Sequence, residues 1–210
     1  MSPAEHRAII VDDDDAVRDA LSLLLETHDI PSASFPDAKT FLNAWDGTQR
    51  GCLLLDIRMP GINGLELQTR LNDEGCHLPI IFMTGHGDVP MAVEAMRKGA
   101  FDFLRKPVQE EELVARIGEA FVQESAAHSH LASREQAQSC LATLTERERE
   151  VFEKVASGSA NKVIAAELGI SERTVEVHRS QVMKKLNAKT LADVVRVQIV
   201  SEVADLSKIG

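Results

Sequence analysis

Short apolar runs alternate with amphipathic stretches along the first 121 residues of the chain. Five runs of four or five residues lie at 8–11, 32–35, 52–55, 79–83 and 101–104, and apolar residues at helical spacing follow each of them. Runs this short and this apolar are typical of strands that are buried on both faces. Because strands that alternate with helices form right-handed crossovers, we expect an α/β doubly wound five-stranded parallel sheet.

The rest of the chain has a helical pattern only. No Gly or Pro occurs between Gly118 and Gly158, and residues 123–139 are rich in Ala, Glu, Gln, Ser and Arg, which favours a helical linker. Four helices are predicted at about 145–157, 161–168, 171–187 and 190–199, and the turn at Gly169 makes the middle two a helix-turn-helix. We therefore expect an α/β domain at 5–122, a linker at 123–141 and an all-α four-helix domain at 142–205.

Charge differs between the two expected domains. Residues 1–121 carry 21 acidic and 11 basic side chains, whereas residues 144–210 carry 10 and 11, so the two domains are expected to have different partners. The three cysteines form no CxxC pair, which argues against a disulfide framework and a zinc site. No membrane span and no signal peptide are visible, and these absences predict a cytoplasmic protein without a membrane partner.

Acidic residues follow two of the predicted strands. Asp12 and Asp13 end the first strand and Asp56 ends the third, so the sheet would bring three carboxylates to one edge. Grouped carboxylates repel each other unless a cation relieves them, and oxygen ligands of this kind suit Mg²⁺. Asp56 could then act as a nucleophile toward a phosphoryl group, with Lys106 and Thr84 binding its oxygens. The alternative is that Asp56 only caps the following helix.

A set of ordered and correctly spaced motifs carries this chemistry: Val11-Asp12-Asp13, Leu55 to Gly61 with Gly64, Met83-Thr84-Gly85, and Phe103 to Pro107. Over residues 5 to 122 they resemble the receiver domain of bacterial two-component response regulators. The resemblance implies that Asp56 is the phosphoacceptor. It also implies a Mg²⁺ site formed by Asp12, Asp13, Asp56 and the carbonyl group of Arg58.

The same resemblance implies a switch that responds to phosphorylation. Thr84 and Phe103 would be the switch pair, and Lys106, which precedes a cis Pro107, would bind the phosphate. Thr84 would move toward the phosphate and leave space for Phe103 to turn inward. Phe103 has an alternative interpretation as a core aromatic residue.

The third helix of the last domain has two faces. Val175, His178, Val182 and Leu186 share one face, and the other face carries Arg173, Glu176, Val177, Ser180 and Lys184. Together with Leu144 to Val151, Asn161 to Ala165 and Met183 to Leu186, this helix resembles the LuxR-type helix-turn-helix. The combination with a receiver is similar to the FixJ and NarL response regulators. The residues expected to contact DNA are Asn161, Lys162, Arg173, Thr174, Glu176, Val177, His178, Arg179, Ser180 and Lys184.

These resemblances predict a transcriptional regulator, not an enzyme. A sensor histidine kinase would phosphorylate it, and phosphorylation would promote a homodimer that binds double-stranded promoter DNA, with RNA polymerase as a further partner. One alternative is a phosphatase of the haloacid-dehalogenase type, which would use its first-strand Asp and need a later acidic pair that is missing here. Another is a DNA-binding protein with an inert receiver, although every phosphate-site residue is present.

Overall fold

The computed structural model describes residues 6–85 and 89–206, and the chain divides into two compact units, residues 1–128 and 129–210. The first unit contains a parallel sheet with the strand order β2-β1-β3-β4-β5, which confirms the expected doubly wound fold. Its strands are β1 (Arg7–Val11), β2 (Ser32–Phe35), β3 (Gly51–Asp56), β4 (Ile80–Thr84) and β5 (Asp102–Arg105). The last strand begins one residue later than expected, because Phe101 donates its N–H to the Ile80 carbonyl just before the ladder starts.

Helices cover both faces of the sheet. They are α1 (Asp15–Thr27), α2 (Ala38–Ala44), α3 (Gly64–Asp73), α4 (Val89–Arg97) and α5 (Glu110–Ala142). Alternate residues of the fully buried β3 enter opposite cores, Leu53 and Leu55 on one side and Cys52 and Leu54 on the other. β3 is therefore the central strand, and the Asp at its end is held by packing on both faces.

Side-chain caps set the starts of three helices. Asp14 accepts hydrogen bonds from the N–H groups of Ala16 and Val17, and Asp37 accepts one from Thr40. Asn63 and Glu66 form a reciprocal capping box at the start of α3. Asp14 is thus a helix cap, as expected for the outer part of the acidic run.

The linker is helical, as expected. α5 continues without a break from Glu110 to Ala142 and so includes all of residues 123–141. The division between the two compact units, after residue 128, falls inside this helix. The domain limits proposed from the sequence stay a prediction.

The second unit is all-α. After the end of α5 it contains α6 (Glu146–Ala156), α7 (Asn161–Leu168), α8 (Glu172–Lys185) and α9 (Leu191–Leu206). Gly169 ends α7 with a φ of 66°, in the left-handed region that glycine adopts without strain. The core contains Val151, Ile164, Val175 and Val194, and it holds α7 and α8 as a helix-turn-helix.

Two statements concern the extent of the described residues. Within residues 6–85 and 89–206, none of the helices combines the length and the apolar composition that crossing a bilayer requires. The first residues of the chain, on which the signal-peptide expectation rests, and Asp88, expected to begin the face near α4, lie outside the described part.

Candidate functional site

The strand order reverses between β1 and β3, and this reversal creates the candidate site. The two strands are paired in parallel, with Val11 opposite Leu55, so the residues that follow both strands lie side by side. These residues are Asp12 and Asp56, whose exposed fractions are 1% and 7%. The structure therefore brings together two of the three carboxylates predicted from the sequence, both buried.

Lys106 connects these two carboxylates. Its Nζ lies 2.6 Å from Asp12 Oδ2 and 2.5 Å from Asp56 Oδ1. Burial raises the pKa of Asp56 above its usual range, and the hydrogen bond and charge of Lys106 oppose this effect. Burial disfavours the charge of Lys106, but its hydrogen bonds to Asp12 and Asp56 outweigh this and raise the pKa of the ammonium group. The site is therefore a charged cluster held by one shared cation.

The second oxygen of Asp56 is held by the chain that follows it. The Arg58 N–H donates to Asp56 Oδ2 at 2.7 Å, so the side chain folds back over its own loop. Gly64 lets this loop pass closely, because a Cβ at this position would lie 2.3 Å from the Asp56 carbonyl oxygen. Asp56 is thus not the cap of α3, a role that Asn63 fills.

The residues predicted to bind Mg²⁺ are only partly gathered. Asp13 is exposed, and no cluster of three His, Cys, Asp or Glu side chains that could hold a metal ion occurs in the described part of the chain. The donor chemistry nevertheless fits a hard cation, because two buried carboxylates already share one positive charge and all available donors are oxygens. Asp12, Asp13, Asp56 and the Arg58 carbonyl remain the predicted ligands.

Arg18 supports the acidic loop, and the sequence analysis did not identify it. Its Nη1 donates to the main-chain carbonyl of Asp12 at 2.7 Å, and its Nη2 pairs with Asp15. The Arg18 side chain is only 13% exposed although it carries a charge. Its position on α1, about one and a half turns after the acidic run, was the available signal, but spacing alone does not indicate which main-chain carbonyl it would bind.

The predicted switch residues lie at the ends of β4 and β5. Thr84 is 5% exposed, and its carbonyl accepts a hydrogen bond from the N–H of Lys106 at 2.7 Å. Phe103 is 44% exposed, which excludes the alternative interpretation as a core residue. The peptide bond between Lys106 and Pro107 is cis, as predicted.

The candidate DNA-binding surface is formed by α8 and the start of α7. Arg173, Glu176, Val177, Ser180 and Lys184 are exposed, as predicted, whereas Val175 and Val182 are buried. His178 and Arg179 are half-buried between these two faces. α8 therefore presents one polar face to solvent and packs through the other.

Two contacts on this surface modify the expected roles. Arg179 donates to Asn161 Oδ1 at 3.0 Å, so these two residues fix the start of α7 against α8. Arg173 pairs with Glu176 at 3.2 Å, and this pair partly neutralises the one acidic residue on the reading face. Surface pairs of this kind are weak, so both side chains are free to exchange partners when DNA approaches.

Lys185 does not contribute to the basic face of α8, although the sequence analysis counted it there. Its Nζ binds Glu148 Oε2 at 2.6 Å and the Thr143 carbonyl at 3.0 Å. Glu148 is 6% exposed and also closes the capping box of α6 with Thr145. The hydrogen bond from Lys185, followed by that from the Thr145 N–H, lowers the pKa of Glu148 to about 2.

Comparisons with known proteins identify both parts of the chain. Residues 8–118 match the family model for the response regulator receiver domain, and residues 142–198 match the model for bacterial regulatory proteins of the luxR family. The first match includes the Asp56 site, and the second includes the helix-turn-helix.

Relatives resemble the chain over nearly its whole length. The transcriptional regulatory protein FixJ of Azorhizobium caulinodans is 45% identical over 195 residues, covering 93% of this chain and 92% of that protein. FixJ of Bradyrhizobium diazoefficiens is 44% identical, covering 89% and 91%. Among solved structures, the response regulator StyR has a TM-score of 0.85 at 41% identity, covering 92% of this chain and 98% of that one. Full-length FixJ from B. japonicum has a TM-score of 0.59 at 42% identity, covering 95% and 98%.

Glu148 makes the stability of the second unit depend on pH. Its folded-state pKa lies below the 4.5 of an unpaired Glu, so its contribution is complete above about pH 4.5 and is lost as the pH falls toward 2. Glu148→Gln should lower the melting temperature at pH 7 and flatten its fall below pH 4.5, as measured by calorimetry of the full chain. Glu153→Gln, an exposed change on the same helix, is the control. Equal pH profiles for wild type and Glu148→Gln would contradict this assignment.

Proposed function

Because the chain belongs to the bacterial response regulators that join a receiver domain to a LuxR-type DNA-binding domain, we propose that Asp56 is its phosphoacceptor. The chain is a DNA-binding response regulator of a two-component system, whose partners are a histidine kinase and DNA. The observation that carries the assignment of Asp56 is the ammonium group of Lys106 between two buried carboxylates. The proposed domains are 5–122 for the receiver and 142–205 for the DNA-binding domain, with a linker at 123–141.

The proposed reaction moves a phosphoryl group from a kinase histidine to Asp56. A carboxylate oxygen of Asp56 forms a bond to phosphorus while the bond from phosphorus to the imidazole nitrogen breaks, and the imidazole then takes up a proton from water. Bound Mg²⁺ would neutralise charge on the phosphoryl oxygens, held by Asp12, Asp13, Asp56 and the Arg58 carbonyl. Lys106 would exchange its contact with Asp56 for one with a phosphoryl oxygen, so that its charge stays paired.

The new group changes the surface next to the site. Phosphorylation adds about 1.5 to 2 negative charges and three acceptor oxygens at the end of β3. The Thr84 hydroxyl would bind one of these oxygens, and the exposed ring of Phe103 would turn into the space that Thr84 leaves. Because the two positions differ in exposed apolar surface, phosphorylation biases an existing two-state equilibrium.

The output would be a dimer bound to promoter DNA. In this proposal Glu176, Val177 and Ser180 contact base edges, while Lys162, Thr174, Arg179 and Lys184 contact phosphates and Asn161 supports Arg179. A unit with so little net positive charge gains from two half-sites, so dimerisation through α9 would raise its affinity. Recruitment of RNA polymerase and activation of transcription in the cytoplasm complete the proposal.

The alternative activity, a phosphatase of the haloacid-dehalogenase type, has no support. The similar proteins are transcriptional regulators, and the family models account for both parts of the chain. In the structure, the first-strand residue Asp12 binds Lys106 and the Asp14 N–H, so both of its oxygens are engaged. We therefore propose that the chain acts by binding and not by turnover.

Replacing Asp56 tests the phosphoacceptor. Asp56→Asn keeps the size of the side chain but removes the nucleophilic oxygen, so acetyl phosphate with Mg²⁺ should phosphorylate wild type only. Wild type should then form dimers and bind DNA selected from a random pool more tightly, as seen by light scattering and fluorescence anisotropy. Asp73→Asn, the same change at an exposed position, should behave as wild type. Phosphorylation of Asp56→Asn at the wild-type level would exclude Asp56.

The DNA-binding surface is tested by the salt dependence of binding. Lys184→Gln should weaken binding to all sequences about equally and reduce the slope of log affinity against log salt by about 1 per protomer, because one phosphate contact is lost. The control is Lys154→Gln, whose lysine pairs with Glu167 away from α8. If both variants keep the wild-type slope, the phosphate contact of Lys184 is wrong.

A further inference from the structure

A glutamine is buried between α3 and α4, in a region otherwise filled by apolar side chains. Gln68 is 0% exposed, and its Nε2 donates to the carbonyl groups of Ala95 at 3.0 Å and Lys98 at 3.3 Å. Among the described residues, its Oε1 accepts no hydrogen bond. Leu67, Leu71 and Ala95 belong to the core on this side of the sheet.

The orientation of the Gln68 amide follows from its neighbours. Both neighbouring groups are carbonyls, which can only accept, so the NH₂ group must face them and the oxygen must point away. A buried oxygen without a partner carries a desolvation penalty that an apolar side chain of the same shape avoids. Stability of the fold therefore does not explain a glutamine at this position.

The Gln68 contacts converge on one end of α4. Asn72, one turn later on α3, donates its Nδ2 to the same Lys98 carbonyl at 3.0 Å. These carbonyls belong to the last turn of α4, which accepts no capping hydrogen bond from its own helix beyond this point. The chain then turns at Gly99, with a φ of 87°, and enters β5, which carries Phe103. The amide thus holds the end of the helix that leads directly into the proposed switch strand.

We propose that Gln68 is a positioning residue that holds the end of α4 in the unphosphorylated arrangement. This inference rests on the proposed function, in which the surface next to Phe103 is rearranged. The two hydrogen bonds of Gln68 favour the resting arrangement, and the partnerless Oε1 keeps that preference small enough for one phosphoryl group to overcome. Gln68 therefore sets the resting balance between the two states and takes no part in the phosphoryl transfer.

The test measures dimerisation of the full chain without a phosphodonor. Gln68→Met keeps the length of the side chain and removes both donors and the orphan oxygen. Losing two hydrogen bonds should tighten dimerisation of the unphosphorylated protein about tenfold. Gln49→Met is the matched control, since Gln49 also donates its amide to a main-chain carbonyl, that of Ala44, in the loop before β3. It should dimerise as wild type.

Two comparisons separate this inference from the proposed function. In an Asp56→Asn background, Gln68→Met should still tighten dimerisation, because the effect needs no phosphorylation. Dimerisation equal to that of the Gln49→Met control would overturn the role of Gln68, and so would an effect that disappears with Asp56→Asn. A wild-type protein that fails to dimerise with acetyl phosphate and Mg²⁺ would instead overturn the proposed function.

A measurement on the wild type avoids any folding defect of the variant. Addition of beryllofluoride, a phosphoryl analogue, should speed hydrogen exchange at the N–H groups of Lys98 and Ala100, which bond back to the last turn of α4. Unchanged or slower exchange at these two positions, with dimerisation intact, would show that the end of α4 is not released.

Discussion

The ammonium group of Lys106 between Asp12 and Asp56 is the interaction on which the rest of the first unit depends. Two buried carboxylates at adjacent strand ends repel each other, and a shared cation makes their burial tolerable. The strand order places them together, and the closely packed loop at Gly64 keeps Asp56 directed toward the site. Removing the cation would leave two uncompensated charges inside the sheet edge.

The same residue connects the site to the surface that changes. The N–H of Lys106 binds the Thr84 carbonyl, and β5, which ends just before Lys106, carries the exposed Phe103. When a phosphoryl group takes the charge of Lys106, it also acts on the ends of β4 and β5. The resting position of the neighbouring α4 is then a matter of small terms, of which the buried amide of Gln68 is one.

Patterns that repeat locally could be predicted from the sequence, and isolated long-range polar contacts could not. Five apolar runs indicated the sheet, and the acids after two of them indicated that Asp12 and Asp56 would meet. By contrast, Glu124 is buried against His6 and Arg50, residues that are distant in sequence, and no local pattern specifies such partners. Gln68 and Lys185 were missed for the same reason, since a polar residue in a helix shows its partner only after the helices pack.

The most direct test of the central interaction is the titration of Asp56, followed by carbon NMR of its carboxyl group in wild type and in Lys106→Met. Burial already raises the pKa of Asp56, and Lys106 is the group that opposes this effect. We predict that the titration midpoint of Asp56 rises further in Lys106→Met, because the buried carboxylate loses its cation. An unchanged or lower midpoint would show that Lys106 does not hold the site together.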